Sequence, residues 1–174
     1  ILERAHRRQR DMLERLWRER AEGLPYANPY EALIMASLVE RETGLAAERP
    51  QVAGVLVRRL RIGMRLQTDS TVIYGLGARY AGKLSRAHLA QANDYNTYMI
   101  NRLPVTPIGN PGDDALRAAL HPAEGDALYF VARGDGSHEF SGTLDAHQRA
   151  VRRYQLRRAK DYRSTPKPRE AGSP

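Results

Sequence analysis

At 174 residues, 41% hydrophobic and 28% charged, the chain is long enough for one globular domain with its own core, and it holds no run of about 18 apolar residues that could span a membrane. It has no cysteine, which excludes a disulfide framework, a Cys-ligated zinc site and a thiol nucleophile. The net charge of +8 sits at the ends: residues 1–20 hold seven Arg against four acids, residues 149–169 hold nine Lys and Arg against Asp161, and residues 21–148 hold twelve against fourteen, so the body lacks the basic stripe of a nucleic-acid-binding domain.

In chain order, Ile1, Leu2, Ala5, Met12, Leu13, Leu16 and Trp17 among many charges predict an amphipathic helix over 1–22, broken by Gly23, Pro25 and Pro29. A second helix is expected over 29–43, with Pro29 in its first turn and Gly44 at its end. Residues 32–39 have no polar face, so this helix should be buried on most sides. A third, over 47–61, puts Val52, Val55, Leu56 and Leu60 inward and Arg58, Arg59 and Arg61 largely outward. Residues 63–82 read as short and irregular, 85–91 as a helix capped by Ser85, and 93–112 as a long loop of the kind that usually carries function. Helix resumes over 113–120. Segments 127–132 and 138–141 flank Arg133-Gly-Asp-Gly-Ser137 as a hairpin, and a very basic helix covers 143–161. The tail from Ser164, with three prolines, reads as disordered. The expected class is α+β: helices packed around a small antiparallel hairpin and irregular strands.

Glu40 is the strongest chemical signal. It follows eight apolar or small residues, and Ala36, Ser37, Thr43 and Gly44 leave no cation at i±3 or i±4. Burial and the negative end of the helix dipole should both raise its pKa, as a general acid requires. Pattern alone also allows a glutamate that reaches solvent or pairs with Arg41 or Arg49. Glu42 lies about 200° further round the helix and should point elsewhere. The five histidines show neither HExxH nor i,i+4 pairing, and no G-x-S-x-G elbow or Walker lysine motif occurs, so no metal or organic cofactor is implied. Polar and aromatic loop residues in 65–74 and 95–98 suit carbohydrate hydroxyls and ring faces, although the same residues are common in turns and caps.

Taken together, Ala36-Ser-Leu-Val-Glu-Arg-Glu-Thr43, Arg59-Leu-Arg-Ile-Gly-Met-Arg-Leu-Gln-Thr-Asp69, Thr71-Val-Ile-Tyr-Gly75, Lys83-Leu-Ser-Arg86, Tyr95-Asn-Thr-Tyr98, Asn110-Pro-Gly112, Ala119-Leu-His-Pro122, Leu128-Tyr-Phe-Val131 and His138-Glu-Phe140 resemble the endolytic murein transglycosylases, the MltG or YceG-like family. The resemblance covers about residues 30–155. Ser70 stands where that family usually has Pro, and Leu103-Pro-Val-Thr-Pro-Ile108 departs from its L-P-P-G-P-I.

The resemblance implies a helical lead-in over 1–28 from a module upstream, a catalytic domain over 29–157 and a basic tail over 158–174, in a chain that begins without Met and is expected to be a fragment, itself soluble. It implies an inner-membrane protein, anchored upstream of Ile1, whose catalytic domain faces the periplasm. The implied activity cleaves the MurNAc-β-1,4-GlcNAc bond of peptidoglycan to leave 1,6-anhydro-MurNAc ends. Its catalytic glutamate falls on Glu40, and Gln67, Thr68, Asp69, Asn96 and Tyr98 are the expected sugar-binding residues. Glu42, Glu48 and Asp69 are the acids available as a second carboxylate. Glycan strands are the expected partner, with peptidoglycan synthases as further candidates. The alternatives are a hydrolytic muramidase and a non-catalytic wall-binding scaffold; nucleic-acid binding through the basic ends ranks behind both.

Overall fold

The computed structural model describes residues 2–156. Among these run α1 (Leu2–Arg18), α2 (Pro29–Glu42), α3 (Arg49–Arg61, entered through a 3-10 turn at Ala46–Glu48), α4 (Asp69–Leu76), α5 (Arg86–Ala90), α6 (Asp113–Leu120), β1 (Tyr129–Ala132), β2 (His138–Ser141) and α7 (Leu144–Val151), which continues as a π-helical turn over Arg152–Leu156. The class is α+β, as expected. The last five residues of the predicted final helix, and the tail beyond it, lie outside the described residues.

An apolar helix has to be wrapped by others, and α2 is. Asn28 caps it by accepting from the Glu31 amide, and Ala32 and every residue from Ile34 to Val39 are buried. Its cover comes chiefly from α3 and α6. Ser37, the one polar residue in this run, is satisfied: its hydroxyl donates to the Ile34 carbonyl (2.7 Å) and accepts from the Ile108 amide (3.0 Å), pinning the long loop to the core. Of the stripe predicted on α1, Leu13 and Leu16 are buried and Met12 and Trp17 pack half-buried against the core, whereas Ala5 is exposed.

The α3 arginines do not all face solvent as their spacing predicts, and Arg59 is the clearest exception. It is 7% exposed and donates to the carbonyls of Leu128 (2.6 Å) and Leu66 (2.7 Å). Arg58 likewise reaches the Ala127 and Ala123 carbonyls, and Arg61 reaches Gly23. Side chains long enough to carry charge outward here serve to hold loop carbonyls that would otherwise lack donors.

A Cβ on Gly54 would lie 2.4 Å from the Ala123 carbonyl oxygen, on a loop fixed by the Ala123 amide bonding to Pro50. Gly54→Ala should therefore destabilise by about 1–2 kcal/mol through overpacking, despite alanine's better helix propensity. Urea denaturation checks the sign.

Helix α4 occupies part of the stretch read as irregular. Gly75 obscures it, and the structure shows the reason for that glycine: a Cβ there would meet Asn93 Oδ1 at 2.8 Å and Tyr95 Cβ at 3.2 Å. The loop over 91–98 is thereby allowed to lie directly on α4. The hairpin pairs Tyr129 with Ser141 and Ala132 with His138, and its turn uses positive φ at Gly134 and Gly136. Among the described residues it is the only sheet, and it packs on the flank against α7 and α3.

Candidate active site

Helix α2 ends at Glu42, and Thr43 is already extended. Glu40 and Glu42 leave its last turn on opposite sides. Glu40 turns toward α3 and α6: its Oε1 accepts from Arg49 Nη2 and its Oε2 from the Gly112 amide at the N-cap of α6, each at 3.0 Å. Arg49, 15% exposed, also contacts Asp114. The cation-free surroundings expected for Glu40 are therefore not observed. The cation comes from the first turn of the next helix, where counting along α2 does not reach. Glu40 fastens α2, α3 and α6 together, and Glu40→Gln should cost about 1 kcal/mol of stability, read by urea denaturation.

Glu42 turns the other way, into a cleft of about 360 Å³ whose lining includes Arg59, Gln67, Asp69, Tyr98, Tyr129 and His147. Burial pushes its carboxyl up to about 7; the Asp69 carboxylate adds to the rise, while the Ser70 hydrogen bond and the charges of Arg59 and Arg41 oppose it. Ser70 Oγ donates to Glu42 Oε1 at 2.6 Å. A carboxyl that is part protonated at neutral pH can give a proton and take one back, which is the property expected of Glu40.

The rest of the cleft is built from distant segments. Tyr98 OH donates to Asp69 Oδ1 at 2.7 Å, and burial, with Asp69 beside it, holds that phenol well above the ordinary tyrosine range. Gln67 is the one non-glycine among the described residues with positive φ (52°), a conformation that costs about 1–2 kcal/mol and commonly marks functional positions. The lining also stacks His147 on Tyr129, centroids 5.1 Å apart, with the Arg59 guanidinium 5.2 Å from the Tyr129 ring. Burial, then the Arg59 charge, keeps His147 below the ordinary histidine range, and its Nδ1 is buried without a hydrogen-bond partner among the described residues. No group of three or more His, Asp or Glu among the described residues could hold a metal ion.

Residues 1–153 match the model of the YceG-like family. The chain belongs to this family. It is 39% identical over 125 residues to the endolytic murein transglycosylase of Bacillus subtilis (strain 168), covering 72% of this chain and 34% of that protein. It is 31% identical over 132 residues to the endolytic murein transglycosylase of Streptococcus pneumoniae (strain D39), covering 70% and 23%. The crystal structure of a yceG-like protein from Listeria monocytogenes superposes with a TM-score of 0.64 at 40% identity, over 70% of this chain and 38% of the other. The chain thus spans about a third or less of the length of the transglycosylases it matches.

In this YceG-like domain the structure sorts the residues expected to bind sugar. Gln67, Asp69 and Tyr98 line the Glu42 cleft together. Thr68 and Asn96 do not. Thr68 is 2% exposed, its hydroxyl shared with Thr71 and Thr97. Asn96 is fully buried, donating to the carbonyls of His88, Leu89 and Gln91 and accepting from the Tyr98 amide. These two hold the loop that carries Tyr98 and do not line the cleft. Glu48 is also spent on structure, bonding His138 Nδ1 at 2.8 Å and tying the hairpin to the start of α3. Arg59, Tyr129 and His147 escape a sequence-based reading of the site: the first two fall within motifs of the resemblance and His147 within none, and only packing brings the three to one cleft.

Proposed function

We propose that this domain is an endolytic lytic transglycosylase of peptidoglycan and that Glu42, not Glu40, is its acid–base carboxyl. The observation that carries this is the carboxyl at about 7 on the cleft, with Gln67, Asp69 and Tyr98 beside it, while Glu40 is bound to Arg49. The relatives named as endolytic murein transglycosylases support the substrate and reaction class.

In this mechanism protonated Glu42 gives its proton to the glycosidic oxygen between N-acetylmuramic acid and N-acetylglucosamine. The C–O bond breaks, and the muramyl C1 gains oxocarbenium character, which the Asp69 carboxylate favours electrostatically. Glu42, now a carboxylate, takes the proton of the muramyl C6 hydroxyl as that oxygen bonds to C1. The ring closes to a 1,6-anhydro end, Glu42 is again protonated, and no water is consumed. The stacked Tyr129 and His147 offer a face for a sugar ring, and Gln67 and Tyr98 offer hydroxyl partners.

A second reading has one observation in its favour: Asp69 shares the cleft with Glu42, held by Tyr98, so a muramidase could use it to activate water. Mass spectrometry of digested glycan separates the two. Transglycosylation leaves anhydro ends, lighter by one water than the reducing ends of hydrolysis; reducing ends from the wild type would overturn the cyclisation step. No helix among the described residues is long and apolar enough to cross a membrane. An inner-membrane location with this domain facing the periplasm goes with the transglycosylase reading, and peptidoglycan synthases are the candidate protein partners.

A further inference from the structure

The hydrogen bond from Ser70 is the one contact of 2.6 Å made to the Glu42 carboxyl, and it comes from outside α2. Ser70 is the second residue of α4, in a first turn whose amides have no partner within the helix. Its side chain is therefore free to serve the neighbouring carboxyl without being needed for the helix. Among the described residues Glu42 Oε2 makes no hydrogen bond, so the Ser70 contact fixes one carboxyl oxygen and leaves the other for substrate.

We propose that Ser70 is a positioning residue that acts through Glu42: its hydroxyl holds the carboxyl in one rotamer and sets the upper pH limit of glycan cleavage. This rests on Glu42 being the acid–base group. The sign follows from hydrogen-bond chemistry. A hydroxyl that donates to a carboxylate favours the charged form, so removing it lets Glu42 stay protonated to higher pH. Since the first step needs the protonated form, the alkaline limb of the rate profile moves the same way. The other ionisable groups facing Glu42 are Arg41 on α2, Arg59 on α3, Asp69 on α4, Tyr98 on the loop before α6, Tyr129 on β1 and His147 on α7. All six remain in a Ser70 variant, so a change relative to wild type reports the hydroxyl.

The test is the pH dependence of kcat/KM on purified glycan strands for wild type, Ser70→Ala and Ser70→Thr, together with a carbon-13 NMR titration of the Glu42 carboxyl in each protein. Ser70→Ala should move both the alkaline limb and the NMR midpoint upward by about one pH unit, the size expected for loss of a hydrogen bond to a charged group. Ser70→Thr should restore both. An unmoved midpoint and limb in Ser70→Ala, or an equal loss of rate at every pH, would overturn the proposal. Glu42→Gln run in parallel separates the two levels: full cleavage by that variant sinks the assignment of Glu42, while the NMR midpoints still decide whether Ser70 tunes the carboxyl.

Discussion

Glu42→Gln should lower cleavage of glycan strands by about 10²–10⁴-fold, the range typical of a lost general acid–base group, with the fold intact. Glutamine keeps the size of the side chain and can still accept the Ser70 hydrogen bond, so the cleft keeps its shape. What it lacks is the proton. Both steps of the proposed reaction pass through this carboxyl, which gives one proton to the leaving oxygen and then takes another from the C6 hydroxyl, so the loss should appear in kcat with little change in KM. Comparing single-turnover rates of the two proteins checks this. A rate within a few-fold of wild type would show that another group carries the proton.

The same substitution should stabilise the protein at alkaline pH. Burial raises the Glu42 carboxyl from 4.5 to about 7. Between those values the unfolded chain has released its proton while the folded protein still holds it, so stability falls as pH rises through this window and levels off above about 7. A tenfold difference in proton affinity between the two states corresponds to about 1.4 kcal/mol, and with some water reaching the carboxyl from the cleft the penalty is about 2–3 kcal/mol. Glu42→Gln has no charge to bury. Urea denaturation should find it more stable than wild type by that amount at pH 8 and equal to it at pH 4. A gap of the same size at both pH values would mean that the carboxyl does not sit in the surroundings described.

The activity and the instability thus come from one cause, and the sequence shows part of it. The apolar run over 32–39 predicts a buried helix ending in acids, and that is what α2 is. The choice between Glu40 and Glu42 depends on what lies beside each, which periodicity does not encode. Arg49 belongs to the next helix and Ser70 to one that Gly75 hides from pattern reading. The resemblance, through the motif Val39-Glu-Arg-Glu-Thr43, places the catalytic glutamate on Glu40; the proposal moves it to Glu42 because of the groups that surround each side chain. The loop residues show the same limit. Gln67, Asp69 and Tyr98 reach the cleft, whereas Thr68 and Asn96, adjacent or near in sequence, turn inward, Thr68 to the Thr71 and Thr97 hydroxyls and Asn96 to loop carbonyls. In an irregular segment the facing of each residue is set by local hydrogen bonds, and no simple period predicts it. The stacked pair of His147 on Tyr129 is assembled only when α7 packs on the hairpin and β1 packs against α3.

The most direct measurement is digestion of purified sacculi by Glu40→Gln and Glu42→Gln side by side, with the released fragments read by mass spectrometry. Anhydro-muramyl ends from Glu40→Gln and none from Glu42→Gln are the predicted result. Anhydro ends from Glu42→Gln at the wild-type yield, with none from a folded Glu40→Gln, would contradict it.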